Sequence, residues 1–561
     1  FFLALLGWQP GCSVRHAHAS RSRSIQLTLS KPHAQLTLVR HGQSEWNLAN
    51  RFTGWVDVDL TERGITEARR AGSMLAERGL HHDVVFTSTL RRAIRTACLC
   101  LSGTDQCWVP MIKDVRLNEQ HSGQLTGHNK RELAQQYGVD QVMSWRRTYD
   151  NPPPALGLED AFQRAIAMDE RYRDTEVPAT ESLELTTARV GKVWADDIAP
   201  ALRAGKNVLV VSHGNTLRAL VKLVDEVSDA DTFHLDLPTA CPVVYDLDAA
   251  LQPLDVHGFW GASAVPRRGA FLMDSTVVQQ AQDAMRQQCV QNIAVTTVSR
   301  DGKDQLSTCD AWTSEAASEK VALDDQGRSY NVRERPPSYF ALESERIAGE
   351  ARKAHNSMLL RMSDLAAEGE RGEAAPMATP HARLIIVRHG YSEFNAENRF
   401  TGWADVELSN RGREEARFAG SLLREAGCTR LEGVFTSYLK RAIKTAWLML
   451  DELEMQWVPV QSTWRLNERH YGLLQGRSKR ECSVEFGLKQ VQQWRRGIQQ
   501  QPPMWEPEQR ASTVDRRYAD VPVPSTESLA NCTARLRPFL GDTLWPAMRA
   551  AMARAADERG G

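Results

Sequence analysis

Two histidines, each followed by glycine and each closing a short apolar run, are the residues in this chain best placed to do chemistry. His41 follows Leu36-Thr37-Leu38-Val39-Arg40, and His213 follows Val208-Leu209-Val210-Val211-Ser212. A neutral imidazole is a nucleophile able to form covalent intermediates. Arg40 precedes the first histidine, while Arg91 and Arg92 follow a third apolar run, Val84-Val85-Phe86, and its Thr87-Ser88. Guanidinium forks match phosphate oxygens, and a helix N-terminus adds N–H donors. Glycine beside the histidine lets backbone and substrate approach closely. Together these residues suit a phosphoryl-accepting histidine in a cationic cup, where charge stabilisation carries most of the catalysis. The departing oxygen needs a proton, and Glu119 is the candidate donor. Taken singly, a His-Gly pair, an arginine doublet or one glutamate reads as ordinary surface or structure. Joint occurrence at strand ends is what points to a site. No carboxylate-rich ligand cluster supports the alternative, a metallohydrolase, so no metal is expected.

The elements around these residues follow from hydrophobic period. The three apolar runs lack clean alternation, as strands buried on both faces do. Two of them lead into helical stripes: Leu90, Ala93, Ile94, Ala97, Cys98 and Leu101 after Val84-Val85-Phe86, and Leu217, Leu220, Val221 and Val224 after Val208-Leu209-Val210-Val211. Strands alternating with helices predict an α/β fold with a parallel-rich sheet. Ligands in such sheets bind outside the carboxyl ends of strands, which places all three polar clusters in one site.

The same pattern occurs twice. Leu38-Val39-Arg40-His41-Gly42 returns as Ile386-Val387-Arg388-His389-Gly390, and Arg51 to Trp55 returns as Arg399 to Trp403. Phe86-Thr87-Ser88, Arg116 to Glu119 and Trp145 to Arg147 return as Phe435-Thr436-Ser437, Arg465 to Glu468 and Trp494 to Arg496. The offset of 348 between His41 and His389 is too long for a solenoid and means duplicated domains. The 561 residues divide into a segment 1–34, a first copy 35–265, a linker 266–380 that could hold a helical appendage, and a second copy 381–561. Copy two runs only 33 residues beyond Ser528 and carries no counterpart of Val208 to Arg218, which reads as an incomplete gene product. No Asp or Glu precedes Glu45, and Arg and Ser are frequent there. That composition fits the tail of a targeting peptide or a disordered extension, leaving cytoplasm, plastid and mitochondrion open, with the cytoplasm favoured. A net charge of −1 gives no footprint for nucleic acid, and no run of 18 apolar residues exists to span a membrane. The ten cysteines lack CxxC or zinc-like spacing and read as reduced thiols.

The string Leu38-Val-Arg-His-Gly-Gln-Ser-Glu-Trp-Asn-Leu-Ala-Asn-Arg-Phe-Thr-Gly-Trp55 resembles the phosphoglycerate mutase branch of the histidine phosphatase superfamily. So do Leu90 to Ile94, Arg116 to Glu119, Trp145 to Arg147, Thr180 to Leu183 and Ser212 to Arg218. The resemblance implies a three-layer mutase-like fold, a central sheet flanked by helices, present twice. It makes His41 the phosphorylated nucleophile and Glu119 the general acid/base. Arg40, Arg92 and His213 would clamp the transferring group, helped by Asn47, Gly214 and Asn215. Ser44, Thr53 and Gly54 would line the pocket, and Lys130, Arg146 and Arg147 would bind the substrate's carboxylate and resting phosphate. In copy two the matching positions are His389 and Glu468 for catalysis. Those for binding are Arg388, Ser392, Asn395, Thr401, Gly402, Arg441, Tyr471, Lys479, Arg495 and Arg496. The implied reaction interconverts 2- and 3-phosphoglycerate in glycolysis and gluconeogenesis without a metal, primed by 2,3-bisphosphoglycerate. Its partners would be small phosphoglycerates, with a homo-oligomer left open. Copy one departs from the branch at Gln120 and Ser122, where copy two keeps Arg469 and Tyr471. That departure keeps a phosphatase as the alternative. Copy two could also be a non-catalytic regulatory or dimerisation module.

Overall fold

The computed structural model describes residues 32–254, 267–290, 383–505 and 515–560, together with two strands between 321 and 331. Residues 1–31 of the expected targeting-like segment and most of the linker lie outside the described residues, while Ala34 opens β1. The chain forms two compact units, one of Phe1–Gln291 with Val387–Thr543 and one of Asn292–Ile386 with Leu544–Gly561. The second holds a two-stranded antiparallel pair, Val321–Leu323 with Ser329–Asn331, and the helix Trp545–Gly560.

Copy one, in the first unit, runs β1 (Ala34–Arg40), α1 (Glu45–Leu48), α2 (Glu62–Glu77), β2 (Val84–Thr87), α3 (Arg91–Gly103) and β3 (Met111–Lys113). There follow α4 (Lys130–Tyr137), α5 (Val139–Arg147), α6 (Ala161–Ala167), α7 (Leu183–Val193), α8 (Ala199–Arg203), β4 (Val208–Ser212) and α9 (Gly214–Val224). β5 (Val243–Leu247), β6 (Ala270–Phe271) and α10 (Ser275–Arg286) complete it. The sheet order is β3-β2-β4-β1-β5-β6, parallel from β3 through β1 and antiparallel at β5 and β6. The register sets Arg40 opposite Ser212 and Thr87 opposite Val211, so the carboxyl ends of β1, β2 and β4 stand side by side.

Side-chain alternation divides each strand between two cores. Leu36, Leu38, Phe86, Val208 and Val210 pack with α7, α8 and α9, while Val39, Val85, Leu209 and Val211 pack with α2 and α3. That is the three-layer arrangement. Each fully buried leucine of β1 contributes roughly 1.5–3 kcal/mol relative to exposure. Polar caps start two of the flanking helices: Thr61 accepts the Gly64 N–H for α2, and Ser182 accepts the Leu185 N–H for α7. Gly42 is required by a backbone crossing, because a Cβ there would lie 2.3 Å from the Gly64 carbonyl oxygen.

Copy two reproduces α2 and α3 as Asn410–Glu425 and Lys440–Glu452, and β2 and β3 as the parallel pair Val434–Thr436 and Val460–Ser462. Its counterpart of β1 differs. Leu384 to Val387 form no strand and are 40% to 86% exposed, against 0% for Leu36, Leu38 and Val39. β1 lies between β4 and β5, and among the described residues copy two has no counterpart of either. Without those neighbours the segment has neither ladder partners nor a covering core.

Candidate active site

The carboxyl ends of β1, β2 and β4 supply the centre of the site. His41 is 3% exposed and His213 fully buried, with ring centroids 5.0 Å apart. Nδ1 of His41 lies 2.7 Å from the Gly42 carbonyl oxygen. A carbonyl only accepts, so Nδ1 carries the proton and Nε2 keeps its lone pair. His213 Nε2 lies 2.7 Å from Ser88 Oγ, which also accepts the Leu90 N–H, and its Nδ1 has no protein partner.

Arg92, on the first turn of α3, donates to the carbonyls of Val56 at 2.8 Å and Gly54 at 2.9 Å. Arg40 donates to the Leu237 carbonyl at 3.0 Å. The Nε atoms of both arginines are buried and unpartnered. Two guanidinium donors, one on each arginine, thus stand unsatisfied beside His41. Buried donors left unpaired are costly, and an oxyanion would satisfy them. Burial first, then Arg92 and Arg40, push the His41 imidazole well below its usual pKa. His213 is lowered in the same way, by burial, Arg92 and His41. Both rings are therefore neutral near pH 7.

Glu119 is held from four directions. Its carbonyl accepts from Trp55 Nε1 at 2.7 Å and Arg189 at 3.2 Å, and its carboxylate accepts the Gln120 and Asn215 N–H groups, each at 3.0 Å. The Asn215 contact comes from the first turn of α9, whose N–H groups favour a carboxylate. Arg189 is fixed in turn by Glu181 at 2.8 Å.

A cavity of about 90 Å³ is lined by Arg40, His41, Asn47, Thr53, Gly54, Arg92, Glu119, Lys130, Arg146, Arg147, Gly214 and Asn215. Ser44 stands outside it as the cap of α1, in a reciprocal box with Asn47. His213 is not part of the wall and packs behind His41. Lys130 is lowered well below the usual lysine value by burial, then Arg146 and Arg40. Arg147 pairs with buried Asp236 at 2.6 Å.

Residues 275–290, which the sequence placed in the linker, pack along one side of the cavity. Met285 and Gln288 line the cavity, and Arg146 donates to the Met285 carbonyl at 3.3 Å, to Gln288 Oε1 and to Cys289 Sγ. Arg286 anchors α10 to Asp236 at 2.9 Å. The one signal in the sequence is Asp274, which caps the helix, ahead of Val277 and Val278.

Copy two assembles the matching half. His389 Nδ1 lies 2.7 Å from the Gly390 carbonyl oxygen, and Arg441 donates to His389 Nε2 at 3.2 Å and to the carbonyls of Gly402 and Ala404. Trp403 donates to the Glu468 carbonyl at 2.7 Å, and Ser392 and Asn395 form the matching cap box. Thr401 opens the turn at Gly402 by accepting the Ala404 N–H at 3.1 Å. The ring of Tyr471 packs at a tilt against Phe400, with centroids 5.1 Å apart. Lys479 is lowered by burial, Arg495 and Arg388, and Arg496 ends the helix Leu488–Arg496. Burial and Arg441 lower His389 to about 4, although it is less enclosed than His41.

The buried histidines set an acid limit. Burial drives His82 and His121 from 6.5 to about 4. Between those values the unfolded chain binds more protons, so stability present above pH 6.5 is lost as pH falls. Each ring contributes on the order of 3 kcal/mol across that window, and His41 and His213 act in the same direction. The midpoint of thermal unfolding is expected to fall steadily from pH 7 to pH 5; a flat profile would contradict the neutral rings.

Among the described residues no group of three or more His, Cys, Asp or Glu side chains could hold a metal ion, and no helix is long and apolar enough to cross a membrane. Residues 36–168, 157–255 and 384–544 match the Histidine phosphatase superfamily (branch 1). A 2,3-bisphosphoglycerate-dependent phosphoglycerate mutase 2 of Lactiplantibacillus plantarum is 51% identical over 224 residues, covering 39% of this chain and 96% of that protein. A mycobacterial glucosyl-3-phosphoglycerate phosphatase structure is 21% identical with a TM-score of 0.32, over 42% of this chain and 97% of its own. A putative α-ribazole-5′-phosphate phosphatase structure from Escherichia coli is 24% identical with a TM-score of 0.29, over 38% and 91%. The chain belongs to the histidine phosphatase superfamily, branch 1, and carries the family's domain in two places.

Proposed function

We propose that copy one is a phosphoglycerate mutase working through phosphohistidine on His41. The observation that carries this reading is the pair of unpaired guanidinium donors beside His41 in the cavity wall, Arg40 Nε and Arg92 Nε. They match the oxygens of a phosphoryl group, and the 51% identical relative named as such a mutase supports the substrate class. Lys130, Arg146 and Arg147 add the cations a substrate with a carboxylate and a phosphate needs. The same residues fit 2,3-bisphosphoglycerate, which when bound supplies the phosphoryl group that loads His41. Loaded His41 then passes the group to the free hydroxyl of a monophosphoglycerate. Glu119 takes the hydroxyl proton as the new P–O bond forms and the N–P bond breaks. In the return half, the Nε2 lone pair of His41 attacks the other phosphoryl group, and Glu119 gives its proton to the departing oxygen. Met285 and Gln288 in the cavity wall help keep water from the phosphohistidine.

Net hydrolysis is the second reading, favoured by Gln120. Its amide donates to the Glu181 carbonyl at 2.6 Å, whereas the aligned Arg469 of copy two is a cation that reaches the Arg495 carbonyl. The assignment of His41 as the nucleophile is tested by incubation with 2,3-bisphosphoglycerate and peptide mapping at alkaline pH. An acid-labile phosphate on His41 is expected; phosphate on a hydroxyl residue would sink the assignment.

A further inference from the structure

The two copies touch through contacts that repeat with their roles exchanged. Arg91, at the start of α3, pairs with Glu454 at 3.4 Å. Lys440 stands in copy two where Arg91 stands in copy one, and Asp105 in copy one where Glu454 stands in copy two; these two also pair, at 2.6 Å. One contact made twice in opposite senses marks a local twofold relation, the geometry of an isologous interface. Between the pairs, Trp447 packs on the apolar cluster of α2, α3 and β2, and Trp108 lies 6.1 Å from the ring of Tyr438. Lys113 adds a hydrogen bond to the Val458 carbonyl.

A second set of charges breaks the symmetry. Glu170 pairs with Arg430 at 2.8 Å, and Arg516 pairs with Asp83. Yet Arg516 occupies the position in Asp515-Arg516-Arg517-Tyr518 that Glu170 holds in Asp169-Glu170-Arg171-Tyr172. Were copy one to meet a second copy one across this axis, Glu170 would take the place of Arg516 and face Asp83. Arg95, which pairs with Asp451 at 3.6 Å, would face Ser102 instead. Like charges across an interface suppress the wrong partner more than matched rim charges strengthen the right one.

We propose that copy two is a dedicated intrachain partner for copy one. It fills the face that a second copy of the same domain would take, with charges that select the unlike pair over copy one against itself. This reading does not depend on which reaction the site performs.

Disulfide trapping in the full chain tests it. Asp105→Cys with Lys440→Cys is expected to close a bond within a single chain. Arg91→Cys with Asp105→Cys, which only a pair of copy-one faces could join, is expected to give no linked dimer. Should the first variant fold poorly, Arg91→Cys with Glu454→Cys reports the mirror contact. Adding Glu170→Arg should slow intrachain trapping by about three- to tenfold, and adding Arg430→Glu to that should restore it. A linked dimer from Arg91→Cys with Asp105→Cys, absence of the intrachain bond in folded protein, or no rescue by the charge swap would each overturn the proposal.

Discussion

Replacing His41 with alanine is expected to cut turnover of a phosphoglycerate by roughly four orders of magnitude or more, the scale on which nucleophile removal acts. The loss should fall on chemistry and spare binding. Arg40 and Arg92 keep their own anchors, the carbonyls of Leu237, Val56 and Gly54, when the imidazole is removed. An inorganic phosphate or vanadate should therefore still bind within a few-fold of its original affinity, while acid-labile phosphate disappears. Copy two carries His389 with its own Arg441, so a residual signal is assigned by mapping the modified peptide. Turnover above a few per cent of the original, with no phosphate on His389, would mean that the nucleophile is a different group.

Glu119→Gln is expected to lower kcat by about 10²- to 10⁴-fold, the usual share of general acid–base catalysis. The amide oxygen can still accept the Gln120 and Asn215 N–H groups, and the backbone held by Trp55 and Arg189 is untouched. Geometry is thus kept while the transferable proton is lost. The Glu119 carboxylate also interacts with Arg40 and Arg92, offsetting part of their positive charge. Its removal should leave phosphate binding unchanged or tighter. A change confined to KM, with kcat intact, would assign Glu119 to binding instead of proton transfer.

Much of this site could be read from sequence because its parts sit where local patterns end. The apolar runs before His41, Ser88 and His213 are buried on both faces, so they lack alternation and announce central strands. The first residues past each run then fall on one edge of the sheet by topology alone. What stayed hidden depends on contacts distant in sequence. Asp236, at the centre of a chain from Arg147 to Arg286, has no local pattern, since its role exists only after two helices meet it. Met285 and Gln288 belong to a segment that read as linker, because a short helix with a modest apolar stripe gives no hint of what it covers. Ser44 illustrates the opposite case, where a residue expected in the pocket serves as a helix cap beside it. In copy two, Leu384 to Val387 carry the same strand pattern as β1, yet pattern alone makes no strand without neighbours on both sides.

The account turns on whether the phosphoryl group returns to a phosphoglycerate or is lost to water. The direct measurement follows 3-phosphoglycerate with the full chain, with and without a trace of 2,3-bisphosphoglycerate, recording 2-phosphoglycerate and inorganic phosphate together. Formation of 2-phosphoglycerate that depends on the bisphosphate, with no matching release of phosphate, is the predicted result. Release of phosphate as the main product, indifferent to added bisphosphate, would contradict it and make copy one a phosphatase.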